Sequence, residues 1–262
     1  MKKILTLIVS VTVAIMMCVP VMATASSGSS KVSIIFTSDM HSHLDSVKVL
    51  RNGKATQYGG FARVRTVAKD IEKDYPDSLM VDAGNFSMGT AYQTIFKSSA
   101  SELRTMGSMG YDAVALGKNE FDFGADGLAK MIKKASSDVG TSTTTTTAYN
   151  TQTYQYDTTT TTTKNMPDLV CGNINWNKSL SSASLKKNAK KLKRAMDKYG
   201  AEDYTVIDKN GTKIAVIGLM GKTAVKEMSD GGVKWSSYTD RAQSIVNEIE
   251  RNGEADMKGS VP

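Results

Sequence analysis

The sequence predicts an α/β fold built on a mostly parallel sheet. Three short apolar runs, at residues 32–36, 78–82 and 112–116, are each followed by a polar loop and then by a segment with helical periodicity. Repeated strand, loop and helix units favour parallel strands joined by right-handed crossovers. The polar loops should then gather at the carboxyl edge of the sheet, where open α/β sheets bind ligands.

The remaining elements follow in order from periodicity and turn residues. A fourth strand is expected at 168–171, and Asn210-Gly211 is expected to turn a β-hairpin between 203–208 and 213–219. Apolar residues at helical spacing predict helices at 58–75, 99–109, 125–136, 185–199 and 240–251.

The first 25 residues have the composition of a secretory signal peptide. Two lysines precede an apolar run at 4–21, and Ala23 and Ala25 provide small-residue cleavage sites. An uncleaved membrane anchor is the alternative, since the run is near spanning length. Cleavage would leave Cys171 as the single cysteine, with no internal disulfide and no stable membrane span. We therefore expect a secreted or cell-envelope-associated protein.

The charge balance favours anionic ligands. The 262 residues carry a formal net charge of +7, which becomes about +5 (31 basic against 26 acidic) without the two leader lysines. This is not a nucleic-acid signature, and no nucleic-acid partner is expected. The lysine-rich helix at 185–199 fits a solvated surface, with contact to a cell-envelope polymer as the alternative.

A threonine-rich segment at 140–163 interrupts the pattern. It has almost no apolar content and no helical period, so we expect a low-complexity surface insertion that is disordered or extended. A plain flexible loop is the simpler interpretation, and glycosylated threonine clusters are the alternative.

Asp39 and His41 end the first strand as a D-x-H pattern. Two residues apart on the loop leaving a buried strand, they should point the same way at the carboxyl edge, which predicts a metal-binding pair. Polar residues that merely terminate a strand are the alternative.

Together, the three polar loops resemble the N-terminal motifs of the calcineurin-like metallophosphoesterases. TSDMHSHL at 37–44, VDAGNFSMGT at 81–90 and LGKNEFDFG at 116–124 stand in the order of the family's D-x-H, G-D and G-N-H-E motifs. They look most like the secreted bacterial 5'-nucleotidase and 2',3'-cyclic phosphodiesterase branch. The resemblance implies a four-layer α/β/β/α sandwich, incomplete here, with residues 31–262 forming a partial domain that contains mostly the first sheet and its helices.

The same resemblance implies an activity and a set of site positions. The family hydrolyses nucleotide phosphate esters with two metal ions that clamp the phosphate and activate a hydroxide, and Mn or Zn is the expected ion. Asp39 and His41 would be ligands of the first metal. Asn85 stands at the bridging-aspartate position, Lys118 at that of the second-metal asparagine, and Asn119 at that of the catalytic histidine.

These departures argue against a working two-metal site. Together they make the site two charge units more positive, and a unit charge at contact range is worth about 4 kcal/mol at an effective dielectric constant near 20. No histidine follows His43, itself interpreted as a second-sphere or surface histidine, and no strand is expected after the last helix.

Two functions are therefore considered. The first is a truncated 5'-nucleotidase-type metallophosphoesterase that is impaired or inactive. The alternative is a non-catalytic module that binds phosphate or a nucleotide through Lys118 in place of the second metal. A missing second half should also leave apolar sheet surface exposed.

Overall fold

Short strands alternate with helices along the described part of the chain. The computed structural model describes residues 32–228 and 231–261, so the expected leader at 1–25 lies outside the described residues. The strands are β1 (Ile34–Thr37), β2 (Val47–Arg51), β3 (Lys54–Tyr58), β4 (Leu79–Asp82), β5 (Ala113–Ala115), β6 (Thr141–Asn150), β7 (Gln155–Lys164), β8 (Asp168–Val170), β9 (Tyr204–Lys209), β10 (Thr212–Gly218) and β11 (Met257–Val261). The α-helices are α1 (Phe61–Asp74), α2 (Phe96–Ser99), α3 (Ser101–Met109), α4 (Gly124–Ala135), α5 (Ala183–Tyr199), α6 (Lys222–Glu227) and α7 (Tyr238–Asn252).

The first sheet is parallel throughout, which confirms the main expectation. Its order is β1-β4-β5-β8, and each neighbouring pair is parallel. Alternate residues of these strands point to opposite faces, as the two-residue period of a strand requires. Met80, Val114 and Leu169 join the core beneath the helices, whereas Leu79 and Val81 belong to a separate core against the second sheet.

Helices α1, α3, α4 and α5 cover the first of these faces. Their fully buried side chains include Leu103, Leu128, Ile132 and Leu192. Fully burying one such side chain contributes roughly 1.5–3 kcal/mol, so this face supplies much of the stability of the fold. None of the described helices is long and apolar enough to cross a membrane.

The second sheet has the order β11-β10-β9. The β9–β10 hairpin is antiparallel, and its turn at Asn210 (φ 53°) and Gly211 (φ 81°) confirms the expected Asn-Gly turn. The expectation of no strand after the last helix is wrong, because β11 pairs in parallel with β10. Residues 257–261 lack the apolar run that marks a buried strand, but backbone pairing with an open strand edge does not require one.

Four layers result, as the sandwich architecture implies. Helix α7 packs through Ile245 and Ile249 on the outer face of the second sheet, while Ile214 and Val216 pack on its inner face. The sandwich is incomplete at β1.

Strand β1 lies at the open end of the sandwich. Ile34 and Phe36 pair in register with Leu79 and Val81, yet they are 49% and 74% exposed. The apolar sheet surface that the sequence predicts to be uncovered therefore lies at this edge.

Two hairpins project from this framework. The threonine-rich segment forms the antiparallel pair β6–β7, with Thr141 opposite Lys164 and Asn150 opposite Gln155. The disordered alternative is wrong and the extended one correct, because strand pairing satisfies the backbone without an apolar core. The β2–β3 hairpin was missed, although Asn52-Gly53 is the kind of turn that signals one.

Candidate functional site

The loops that follow β1, β4 and β5 meet at the carboxyl edge of the first sheet, as expected. The first two run side by side through backbone hydrogen bonds: Asp39 N–H donates to Gly84 O (3.1 Å), and His41 N–H donates to Asn85 O (3.0 Å). These bonds position the D-x-H pair directly against the second loop.

The third loop approaches the second through two glycines. A Cβ atom added to Gly117 would lie 2.3 Å from Asn85 N, and one added to Gly84 would lie 2.5 Å from Gly117 N. Any side chain at either position would force the loops apart. Both glycines are therefore required for the close approach.

Left-handed backbone conformations are concentrated in the first two loops. Asp39, His41, Ser42, Asn85 and Met88 have φ values of 54°, 46°, 54°, 54° and 63°. Such conformations are unfavourable for residues other than glycine and cluster at functional sites, where packing holds them. The chain thus keeps the strained loop geometry of a binding or catalytic site.

A buried carboxylate joins the second and third loops. Glu120 is fully buried and accepts hydrogen bonds from the backbone N–H groups of Gly117 (2.7 Å), Asn85 (3.0 Å) and Ser87 (3.0 Å), and from Ser87 Oγ (2.7 Å). Burial raises the pKa of Glu120, and these donors oppose the rise. The third motif contains Glu120, but sequence reasoning missed this role because it depends on contacts with the second loop.

Asp39 already has hydrogen-bond donors on both oxygens. Asn85 Nδ2 donates to Oδ1 at 2.9 Å, and Ser38 Oγ donates to Oδ2 at 2.7 Å. These bonds, the one from Asn85 first, hold the pKa of Asp39 below its usual value, so the group is ionised at neutral pH.

The two ring nitrogens of His41 have different neighbours: Nδ1 lies near Asn119 and Met88, and Nε2 lies near Asp39. Asn119 Nδ2 lies 2.9 Å and Met88 O lies 3.1 Å from Nδ1. Nε2 lies 3.7 Å from Asp39 Oδ1. Nε2 is therefore the nitrogen that could serve as a ligand beside Asp39.

The two asparagines at altered family positions connect to each other and to this pair. Asn119 N–H donates to Asn85 Oδ1 (3.0 Å), and Asn119 Nδ2 also donates to Ser87 O (3.2 Å). Both polar side-chain atoms of Asn85 and the Nδ2 atom of Asn119 are thus used within the protein.

Lys118 lies beside this group at the start of the 3-10 turn Lys118–Phe121. Its ammonium is 3.5 Å from Glu227 on helix α6, and its side chain is 33% exposed. Among the described residues, no hydrogen bond or ion pair joins Lys118 to Asp39 or His41. His43 is exposed, in agreement with a surface histidine.

Comparison with solved structures shows the fold. A 5'-nucleotidase precursor from Thermus thermophilus matches with a TM-score of 0.60 and 24% identity, over 88% of this chain and 36% of that one. The calcineurin-like phosphoesterase YfkN from Bacillus subtilis matches with a TM-score of 0.56 and 19% identity, over 88% of this chain and 61% of that one.

Comparison with curated sequences shows the relatives. The 5'-nucleotidase of Rattus norvegicus is 39% identical over 103 residues, which is 37% of this chain and 17% of the relative. The venom 5'-nucleotidase of Gloydius brevicauda is 35% identical over 111 residues, which is 41% of this chain and 18% of the relative. Over about two fifths of its length the chain is similar to 5'-nucleotidases, and its fold is that of the calcineurin-like phosphoesterases. It spans about a fifth of the length of these relatives, and no family model matches it.

The donor set does not fit the two metal ions of this family. Asp39 Oδ1 and His41 Nε2 are close enough to share one ion, but Asn85 directs an N–H group at the same carboxylate oxygen. In the described ranges, no three His, Cys, Asp or Glu side chains form a group that could hold a metal. A neutral amide at the bridging position supplies neither the charge nor the second oxygen that two hard cations need.

A second buried acid lies beneath the site, and sequence reasoning did not single it out. Asp82 is completely buried at the end of β4, where it accepts hydrogen bonds from Thr37 Oγ1 (2.6 Å) and Gly84 N–H (2.8 Å). Burial raises the pKa of Asp82 to about 7. The Thr37 hydroxyl also lies 2.7 Å from the Tyr111 hydroxyl, which extends the network below the first loop.

Proposed function

We propose that this chain is a 5'-nucleotidase-family protein with little or no metal-dependent hydrolysis of its own. The observation that carries the proposal is the contact of Asn85 Nδ2 with Asp39 Oδ1 at 2.9 Å. A bridging carboxylate would attract cations at this point, whereas the amide N–H group competes with them for Asp39.

Electrostatics supports the same conclusion. Relative to the family pattern, Asn85 removes a negative charge and Lys118 adds a positive one. At an effective dielectric constant of about 20, one unit charge alters the energy of another at contact range by about 4 kcal/mol, so the change at Asn85, which touches Asp39, weighs more than the change at Lys118, which pairs with Glu227. We therefore expect one Mn or Zn ion, bound weakly by Asp39 and His41, in place of the two ions of the family.

A restoration experiment tests this proposal. Wild-type protein is assayed for release of phosphate from a nucleoside 5'-monophosphate with Mn²⁺ or Zn²⁺, beside the triple variant Asn85→Asp, Lys118→Asn, Asn119→His. We expect negligible hydrolysis by the wild type and clearly stronger metal binding by the triple variant in calorimetry. The control is Asn177→Asp, which adds a carboxylate on an exposed loop away from the site.

The opposite result is equally clear. Rapid hydrolysis by the wild-type protein, abolished both by EDTA and by Asp39→Ala, would refute the proposal. It would mean that the departures at residues 85, 118 and 119 do not prevent metal-dependent chemistry.

A second candidate function is metal-free binding of a phosphate or nucleotide. The observation that favours it is the Lys118 ammonium, one-third exposed beside Asn119 and only loosely paired with Glu227 at 3.5 Å. Calorimetry in EDTA with inorganic phosphate and a nucleotide tests it. We expect binding that Lys118→Ala abolishes and Glu227→Gln strengthens, because the competing carboxylate is removed. Absence of binding to both probes would exclude this function.

We place the protein outside the cell in this proposal. It rests on the leader-like residues 1–25 and on similarity to venom 5'-nucleotidases. Mass spectrometry of exported protein should find a mature N-terminus near residues 24–26. An intact N-terminus in the membrane fraction would instead support an anchor.

A further inference from the structure

One helix carries nearly all of the excess positive charge of this chain. Helix α5 contains seven Lys or Arg residues and one Asp, a net charge of +6, whereas the whole chain has +7. A solvated helix surface typically mixes both signs and forms ion pairs along its length. The charge of α5 is instead strongly one-sided.

Four of these cations form a line, which we call the basic ridge: Lys186, Lys190, Arg194 and Lys198. They recur at every fourth residue and are all exposed. With a rise of 1.5 Å per residue, neighbours are about 6 Å apart along the helix axis and the ridge is about 18 Å long. Each step of four residues also turns about 40° around the axis, so the ridge winds about 120° from Lys186 to Lys198.

The basic ridge is also electrostatically unsatisfied. Neighbouring cations of α5 are paired, Lys191 with Asp126 and Lys193 with Asp197. Within residues 32–228 and 231–261, none of the four ridge side chains forms an ion pair. Their charges therefore remain available to an external anion.

A groove lies on each side of α5. One, of about 460 Å³, separates α5 from α4 and is lined by Lys133, Arg194 and Lys198 among others. The other, of about 350 Å³, lies against the loop with Trp176 and Lys178 and is also lined by Lys186 and Lys190. The ridge thus passes from one groove, which Lys186 and Lys190 line, to the other, which Arg194 and Lys198 line, and a linear polymer could follow it.

The chemistry of this face distinguishes among polyanions. Trp176 is 37% exposed, but Lys193 Nζ lies 6.0 Å from its ring centroid and occupies that side of the ring. Nucleic-acid strands are held by open aromatic rings as well as cations, and membrane-surface helices insert a large apolar face. The buried apolar side of α5, with Leu192 and Met196, faces the core instead.

We propose that the basic ridge binds a linear polyol-phosphate polymer of the cell envelope. Charge complementarity carries the proposal: a regular row of unpaired cations, spaced about 6 Å along the helix axis, suits a chain of regularly repeated phosphodiesters that is recognised without bases. The ridge is separate from the Asp39 and His41 site, so the proposal does not depend on the proposed loss of hydrolysis; it rests on the proposed extracellular location.

The experiment measures binding of the full chain to a glycerol phosphate polymer by fluorescence anisotropy. Four phosphate contacts predict a salt slope near 3, so affinity should fall about 60-fold between 50 and 200 mM salt. The ridge variant changes Lys186, Lys190, Arg194 and Lys198 to Gln, which keeps helix propensity nearly constant, and should lose at least about 10-fold in affinity at 50 mM salt. The control variant changes Lys48, Lys54, Lys69 and Lys226 to Gln; it has the same net charge and should lose less than about threefold.

Four further outcomes would contradict the proposal or assign the ridge to another ligand. Equal binding loss in both variants would overturn the proposal, because only total charge would then matter. Tighter binding of oligothymidylate of equal phosphate number, sensitive to Trp176→Ala, would assign the ridge to nucleic acid. Binding confined to anionic phospholipid vesicles would assign it to a membrane, and equal binding of polyglutamate would exclude phosphate recognition. Circular dichroism confirms that each variant is folded.

Discussion

Replacing Asp82 with Asn should change how the stability of this protein depends on pH. Asp82 is completely buried, and burial raises its pKa from 3.8 to about 7. Between these values the folded protein binds a proton that the unfolded chain has released. The free energy of unfolding therefore falls as pH rises through this window.

The magnitude follows from the same two values. A difference of about three pKa units, at about 1.4 kcal/mol per unit, lowers the free energy of unfolding by roughly 4 kcal/mol. This loss is absent below pH 3.8 and complete above about pH 7. Asparagine has the same shape and no charge. Its oxygen can accept from Gly84 N–H, and its amide N–H group can donate to Thr37 Oγ1, so both hydrogen bonds survive.

The assay is urea unfolding followed by tryptophan fluorescence from pH 4 to pH 8. We expect Asp82→Asn to gain stability relative to wild type as pH rises, by up to about 4 kcal/mol across the range. The control is Asp126→Asn: Lys130 and Lys191 hold the pKa of Asp126 at about 2, so its difference from wild type should stay constant from pH 5 to pH 8. A constant difference for Asp82→Asn as well would refute the reasoning.

Three further predictions concern the loops and the open sheet edge. Glu120→Gln should lower the free energy of unfolding in urea by about 2–4 kcal/mol, because glutamine offers one oxygen and an amide N–H₂ group to four donors that now bond to two oxygens. The surface variant Glu72→Gln should lower it by less than about 1 kcal/mol, and equal effects would contradict the role assigned to Glu120. Gly117→Ala should destabilise the folded protein by about 1–3 kcal/mol, since the new Cβ would meet Asn85 N. The control Gly221→Ala, whose Cβ would have nothing within 4 Å, should change thermal stability little. Unchanged stability of Gly117→Ala would show that the loops can separate. Ile34→Thr with Phe36→Thr should reduce ANS fluorescence strongly, whereas Leu50→Thr on β2 should not; an ANS-negative wild type would contradict an open apolar edge.

Most of the framework could be predicted because it depends on local patterns. The parallel strands, the helices and the β9–β10 hairpin follow from apolar periodicity and from Asn210-Gly211, which act over a few residues. Strand β11 could not be predicted in this way. Its residues have no strand pattern of their own, and it forms because β10 offers an open edge.

The candidate site could likewise be predicted only in part from the sequence. The side chains that occupy the three loops could be read from the sequence: the D-x-H pair, Asn85 in place of an aspartate, Lys118 in place of an asparagine and Asn119 in place of a histidine. Only the folded chain shows that Asn85 donates to Asp39, that Asn119 contacts His41, and that Glu120 joins the loops. These contacts link residues 35 to 78 positions apart, and they depend on close packing through Gly84 and Gly117, which no local pattern encodes.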